Sequence, residues 1–244
     1  MLPIVDVFSL PYEKWSQRKA TEQESLEHYK KHGAISLEVD HERIAKISNA
    51  KEAAIYIAEV GADNGLEFFI DRALSNSESF QEWRKYFPKL TPSSLKDYQE
   101  IYPYHNSISV DFEINSYGFP LAVGQMLFHG GRWPDPASTK FRTIAPLSTT
   151  FCPQVALRNA EHKGKAYEQN RIDLFVLHVA APSTKVFSFP LHNSDMAHEK
   201  EVLFASGANL EIRSETKILD DYSAFNCYGS RKTIPIYVLE VDIS

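Results

Sequence analysis

The sequence predicts an α+β chain, helical over its first hundred residues and mainly β thereafter. Residues 14–100 combine polar stretches rich in good helix formers with apolar residues at helical spacing. Beyond about residue 106 the apolar residues come in strand-sized runs, of which 174–180 and 234–241 are the strongest. Helices first and strands after, in place of a regular alternation, is the pattern of an α+β chain.

The elements follow in order. Residues 17–31 are rich in Glu, Lys and Gln, and Gly33 supplies a stop. Residues 50–60 place Ala53, Ala54, Ile57 and Ala58 on one helical face, ended by Gly61. Leu66, Phe69, Ile70 and Ala73 repeat that spacing, and residues 77–87 form a short helix stopped by Pro88. Thr91-Pro92-Ser93-Ser94 caps a helix over 95–102. Strands are expected over 121–128, 144–150, 174–180, 185–189, 201–204, 209–213 and 234–241, with a helix over 154–160. Ser206-Gly207 marks a turn.

Composition narrows the classes. The 244 residues carry 26 Lys plus Arg against 32 Asp plus Glu, a net charge of −6. That balance argues against a protein that coats nucleic acid by bulk charge. Residues 129–171 run the other way, with Arg132, Lys140, Arg142, Arg158, Lys163, Lys165 and Arg171 facing only Asp135, Glu161 and Glu168. Such a stretch suits a phosphate-bearing ligand. Cys152 and Cys227 cannot form a disulfide framework, and both read as small core residues. The histidines show no metal spacing, so no metal is expected. No apolar run approaches the roughly 20 residues that span a bilayer, so no membrane partner is expected. The first residues lack a basic region and carry Asp6 and Pro11 within their apolar part, which makes a poor signal peptide. The expected location is the cytoplasm, or a target cell reached without a cleaved signal.

Three stretches carry chemistry. In Leu127-Phe128-His129-Gly130-Gly131 a polar residue ends an apolar strand, and the glycines let a ligand approach the backbone. Alone, this is more often a satisfied strand-end histidine. In Pro146-Leu147-Ser148-Thr149-Thr150, three hydroxyls lead toward a helix and can orient a carboxylate or a ribose. In His198-Glu199-Lys200-Glu201-Val202, carboxylates at i and i+2 of a strand would share one face and repel, which raises one pKa. An isolated E-x-E is otherwise a solvated polar face.

Together and in this order, His129-Gly130, Ser148-Thr149-Thr150 and Glu199-Lys200-Glu201 resemble the mono-ADP-ribosyltransferase family of the arginine-directed, toxin-like type. The stretches EVLFASGANLEI and STTFCPQVALRNA follow its pattern closely, and IPIYVLEVDI ends the chain as family domains end. The resemblance covers roughly residues 95–244. It implies a split β-sandwich catalytic domain there, preceded by a helical region over 1–94.

The resemblance further implies NAD as co-substrate and transfer of ADP-ribose to a macromolecular acceptor, either protein arginine or a nucleic-acid base. NAD glycohydrolysis and a degenerate binding module are the alternatives. Glu201 would be the catalytic glutamate, Ser148 its holder, and Glu199 the group that orients or deprotonates the acceptor. Gly130 would take the nicotinamide amide through its backbone, with Thr149 and Thr150 beside the cofactor. The chain departs from the family at His129, where arginine is usual. Histidine there resembles the diphtheria-toxin and poly-ADP-ribose polymerase branch and would contact a ribose hydroxyl. Arg132 and Arg142 would then take over the phosphate contact. Tyr167 is a candidate to stack on nicotinamide, and Tyr102 and Tyr104 pack the N-terminal helix or line the cofactor groove. A bacterial or phage toxin or effector, with an antitoxin or inhibitor protein as partner, is the implied setting.

Overall fold

The computed structural model describes residues 1–101, 104–191 and 196–244, in two compact units. Phe8–Asn49 form the smaller, and Met1–Val7 with Ala50–Ser244 the larger. The division expected at 94/95 therefore falls inside the larger unit. Tyr102 lies outside the described residues.

The smaller unit corrects the expectation of an all-helical N-terminal region. Strands β1 (Tyr12–Lys19) and β2 (Glu38–Ile47) pair antiparallel, with bulges flanking Trp15. Helix α1 (Glu22–His32) connects them, closed by a Thr21/Glu24 capping box and by Gly33 at φ 71°. Arg18 of β1 pairs with Glu24 at 2.6 Å. Residues 17–19, expected to be helical as part of a run rich in Glu, Lys and Gln, instead pair their backbone across the hairpin, where cross-strand partners override weak propensity. No side chain of α1 is buried.

In the larger unit, α2 (Ala50–Val60) buries Ala53, Ala54, Ile57 and Ala58 as its spacing requires. Helix α3 (Asn64–Asn76) starts at Asp63, whose carboxylate accepts from the amides of Gly65 and Leu66. Helix α4 (Glu78–Tyr86) starts at Ser77, and Phe80 and Trp83 on it pack against Phe151. Helix α5 (Ser93–Glu100) follows, then α6 (Ser107–Tyr117), which was not anticipated. Ile108, Val110, Phe112 and Ile114 alternate as in a strand. The Asn106 carboxamide decides otherwise by accepting from the amides of Ile108 and Ser109. Only Val110 and Ile114 of that alternation are buried. Among the described residues no helix is long and apolar enough to cross a membrane.

Among the described residues nine strands form one sheet: β3 (Phe119–Pro120), β4 (Met126–Gly131), β5 (Lys140–Arg142), β6 (Leu147–Thr150), β7 (Ile172–Val179), β8 (Lys185–Ser188), β9 (Glu201–Phe204), β10 (Asn209–Phe225) and β11 (Arg231–Ile243). Their order is β3-β8-β9-β6-β4-β7-β11-β10-β5. β7 lies between β4 and β11, parallel to the latter, and is buried nearly throughout, which is why it reads as an unbroken apolar run. β10 is much longer than the five residues expected. Its polar second half is held by the ladder to β11 through two register shifts and by a turn in which Asn226 accepts from the amides of Tyr228 and Ser230.

The sheet has a weak seam. β4 and β6 meet through one register pair, Phe128 with Thr150. On one side of the seam lie β3, β8, β9 and β6, and on the other β4, β7, β11, β10 and β5. The chain is thus α+β with a split sheet. Helices α7 (Pro153–Glu161) and α8 (Lys165–Gln169) follow β6, and α7 packs on β4.

Candidate active site

A cavity of about 500 Å³ opens at the seam. His129 and Gly130 of β4 line it together with Ser148, Thr149 and Thr150 of β6, and Glu201 of β9 and Glu199 border it. The three motifs that lie far apart in sequence therefore share one cavity. Tyr98 and Gln99 of α5, His105, Asn159, His162 and Lys165 complete much of the wall.

The carboxylates do not lie in one strand, as their spacing suggested. Glu199 ends a 3₁₀ turn (Ala197–Glu199), Lys200 has φ 51°, and Glu201 begins β9. The turn at Lys200 still brings both carboxylates to the cavity. Glu201 is only 4% exposed. The Ser148 hydroxyl donates to its Oε1 at 2.6 Å and the Gln99 amide to its Oε2 at 3.1 Å. Burial pushes the Glu201 carboxyl up to about 7; Ser148 and Gln99 oppose the rise, and the charge of Glu199 adds to it. Burial also raises Glu199, against the pull of His198. Glu199 is thus a second carboxyl raised by burial, and its charge acts on Glu201.

His129 Nδ1 sits 2.7 Å from the carbonyl oxygen of Ser148. A carbonyl only accepts, so Nδ1 carries the proton and donates. Burial lowers the His129 pKa, the Ser148 bond acting against it, so the ring is neutral and Nε2 keeps its lone pair. That nitrogen can accept from a hydroxyl.

Of the three hydroxyls, only Ser148 reaches a carboxylate. Thr149 donates to the Val202 carbonyl at 2.5 Å and Thr150 to the Glu199 carbonyl at 2.7 Å. These two join β6 to Glu199 and to β9, and both residues line the cavity. Gly130 also meets a packing requirement. A Cβ there would lie 1.7 Å from the Ala156 carbonyl oxygen, so glycine is required by the approach of α7 to β4.

Arg132 and Arg142, expected as phosphate contacts, are not among the residues that line the cavity. Arg132 donates to the Gln169 carbonyl, and Arg142 to the Gly207 carbonyl at 3.2 Å. Lys165 lines the cavity, its pKa lowered by burial and by neighbouring Lys163. Tyr167 lies outside it, its ring beneath the Lys232 ammonium at 4.0 Å. Tyr104 is 87% exposed and neither packs a helix nor lines the cavity. Cys152 is buried and its thiol is pushed up to about 11, whereas Cys227 is exposed and is not a core residue. Sequence reasoning missed Gln99, a helix glutamine with no signal until the fold places it, and did not single out Lys165 from the basic stretch that includes it.

No protein-family model matches the chain, and no curated protein does. Several solved structures are similar to parts of the chain. The enzymatic component C2-I of the C2 toxin of Clostridium botulinum is 10% identical over 70% of this chain and 48% of its own, with a TM-score of 0.40. The ADP-ribosyltransferase Vis of Vibrio splendidus, solved with agmatine, is 14% identical over 80% of this chain and 73% of its own, at 0.37. Exoenzyme S of Pseudomonas aeruginosa, solved with human 14-3-3 protein beta and carba-NAD, is 16% identical over 77% and 64%, at 0.26. The chain spans about half the length of the C2-I chain it matches.

Proposed function

We propose that this chain cleaves NAD at the nicotinamide–ribose bond and transfers ADP-ribose to a macromolecular acceptor, with residues 95–244 as the catalytic region. One observation carries this: a buried carboxylate, Glu201, is held by Ser148 and Gln99 in a cavity that it shares with Glu199 and the neutral His129. Breaking the C1′–N bond sends its electron pair to the nicotinamide ring and leaves positive charge on the ribose. An ionised Glu201 stabilises that charge where it develops. Its pKa near 7 means that the carboxylate forms in the neutral range. The acceptor's lone pair then attacks C1′, and its proton passes to Glu199. His129 Nε2 accepts from a ribose hydroxyl, and Lys165 faces the pyrophosphate. All of this proceeds without a metal.

The setting we infer from the motif resemblance is a bacterial or phage toxin or effector acting in a cytoplasm, neutralised by an antitoxin or inhibitor protein. The test is incubation of the purified chain with adenylate-labelled NAD and a cell lysate. Label should enter macromolecules with the wild type and not with Glu201→Ala. Protease and nuclease treatment then identifies the acceptor polymer. Free ADP-ribose at the same rate with and without lysate would favour hydrolysis instead.

A further inference from the structure

We propose that Lys200 is a positioning residue that holds Glu199 in register with the acceptor, anchored from beneath by Glu67 and Asp71 of α3. The proposal rests on the transferase reading above and assigns a task to the N-terminal helices that it leaves undefined.

Lys200 separates the two carboxylates, yet its own side chain turns away from them and is 1% exposed. Its ammonium lies 3.3 Å from Glu67 Oε1 and 3.1 Å from Asp71 Oδ1, and donates to the His198 carbonyl at 2.8 Å. Two hydrogen bonds and an ion pair engage the ammonium on these three partners. Its backbone is left-handed at φ 51°, a conformation that a residue other than glycine keeps only where its surroundings impose it. Glu67 is itself fixed, receiving Gln154 at 2.7 Å and Arg158 at 2.8 Å from α7. Burial opposes its ionisation, and Lys200 with Arg158 outweighs burial and holds the carboxyl below its ordinary range. α3 and α7 thus present a charged, preorganised socket into which the turn inserts one lysine.

The socket acts unequally on the two carboxylates. Glu201 is secured without it, by the β9 ladder to β6 and by Ser148 and Gln99. Glu199 stands in the 3₁₀ turn, outside the ladder. Its backbone is held by its own amide, which donates to the Met196 carbonyl at 2.9 Å within the turn, by Thr150 at its carbonyl and, one residue earlier, by the Lys200 ammonium at His198, the one of these holds that reaches the turn from α3's side. Loss of the ammonium frees the turn on the Glu199 side and leaves Glu201 in place. Transfer, which needs Glu199 for the acceptor, should fall more than NAD cleavage to water, which needs Glu201.

The test compares Lys200→Met and Asp71→Asn with wild type, measuring ADP-ribose transfer and NAD hydrolysis in parallel on the full chain. Lys200→Met leaves neither carboxylate stranded, because Glu67 keeps Gln154 and Arg158 and the Asp71 side chain is 44% exposed. The ratio of transfer to hydrolysis should fall about tenfold in Lys200→Met and about threefold in Asp71→Asn. Should Lys200→Met not fold, the half-exposed Asp71→Asn decides alone. An unchanged ratio overturns the proposal, whether both rates fall together or neither moves. Wild type that neither cleaves NAD nor transfers ADP-ribose overturns the transferase reading itself, which is a separate outcome.

Discussion

His129 donates from Nδ1 to the carbonyl oxygen of Ser148 over 2.7 Å, bridging β4 and β6 where their ladder has shrunk to one register pair. A side chain thus spans the seam where backbone pairing stops. The same bond fixes the tautomer of His129 and leaves Nε2 able to accept. Ser148 in turn gives its hydroxyl to Glu201, so one residue ties the first motif to the last through its two polar ends.

Ser148→Ala removes the donor closest to Glu201 Oε1. With burial unopposed at that oxygen, the carboxyl should rise further above about 7. NAD cleavage should fall about tenfold at pH 7 and recover in part toward pH 9, with the rising limb of the pH profile moved up. A pH–kcat profile of both proteins checks this. An equal loss at every pH would contradict it.

Glu201 also makes stability depend on pH. Its folded pKa of about 7 exceeds the ordinary 4.5, so its favourable contribution is fully present below 4.5 and is lost as pH rises through 7. At about 1.4 kcal/mol per pH unit, the cost at pH 8 is up to about 3 kcal/mol. Glu201→Gln, which carries no charge, should be more stable than wild type at pH 8 and lose that advantage by pH 4.5. Thermal unfolding of the two proteins across this range measures the difference.

Lys165 lines the cavity and Arg132 and Arg142 do not. Lys165→Met should raise KM for NAD by about tenfold, equivalent to about 1.4 kcal/mol, and flatten its salt dependence. Arg132→Met and Arg142→Met should leave KM within about twofold. Steady-state kinetics at two ionic strengths separates the three.

Gly130→Ala places a Cβ against the Ala156 carbonyl oxygen at 1.7 Å, a backbone group that cannot rotate away. α7 must shift, at a cost of about 3 kcal/mol, the upper end for overpacking. A lower urea midpoint with an unchanged slope is the expected result.

Much of the β half was legible because its physics is local. The runs that became β7 and β11 are continuous or alternating apolar stretches, and Glu201–Phe204 matches β9 end to end. Residues whose state depends on distant partners were not legible. β1 and the second half of β10 are polar strands held by ladders. The strand-like alternation of α6 is overridden by the Asn106 cap. At the site, His129, Ser148, Glu199 and Glu201 announced themselves by residue type and order. The lysine in the middle of E-x-E gave no sign that it would be buried, and only the placement of α3 supplies its acidic partners.

The most direct measurement is nicotinamide release from NAD by the purified chain, wild type against Glu201→Gln, at pH 8. Wild type should release nicotinamide, and the variant should do so about a hundredfold more slowly while binding NAD within about threefold of wild type. Release by Glu201→Gln at the wild-type rate, or none from wild type, would contradict the assignment of Glu201 as the group that stabilises the ribose charge.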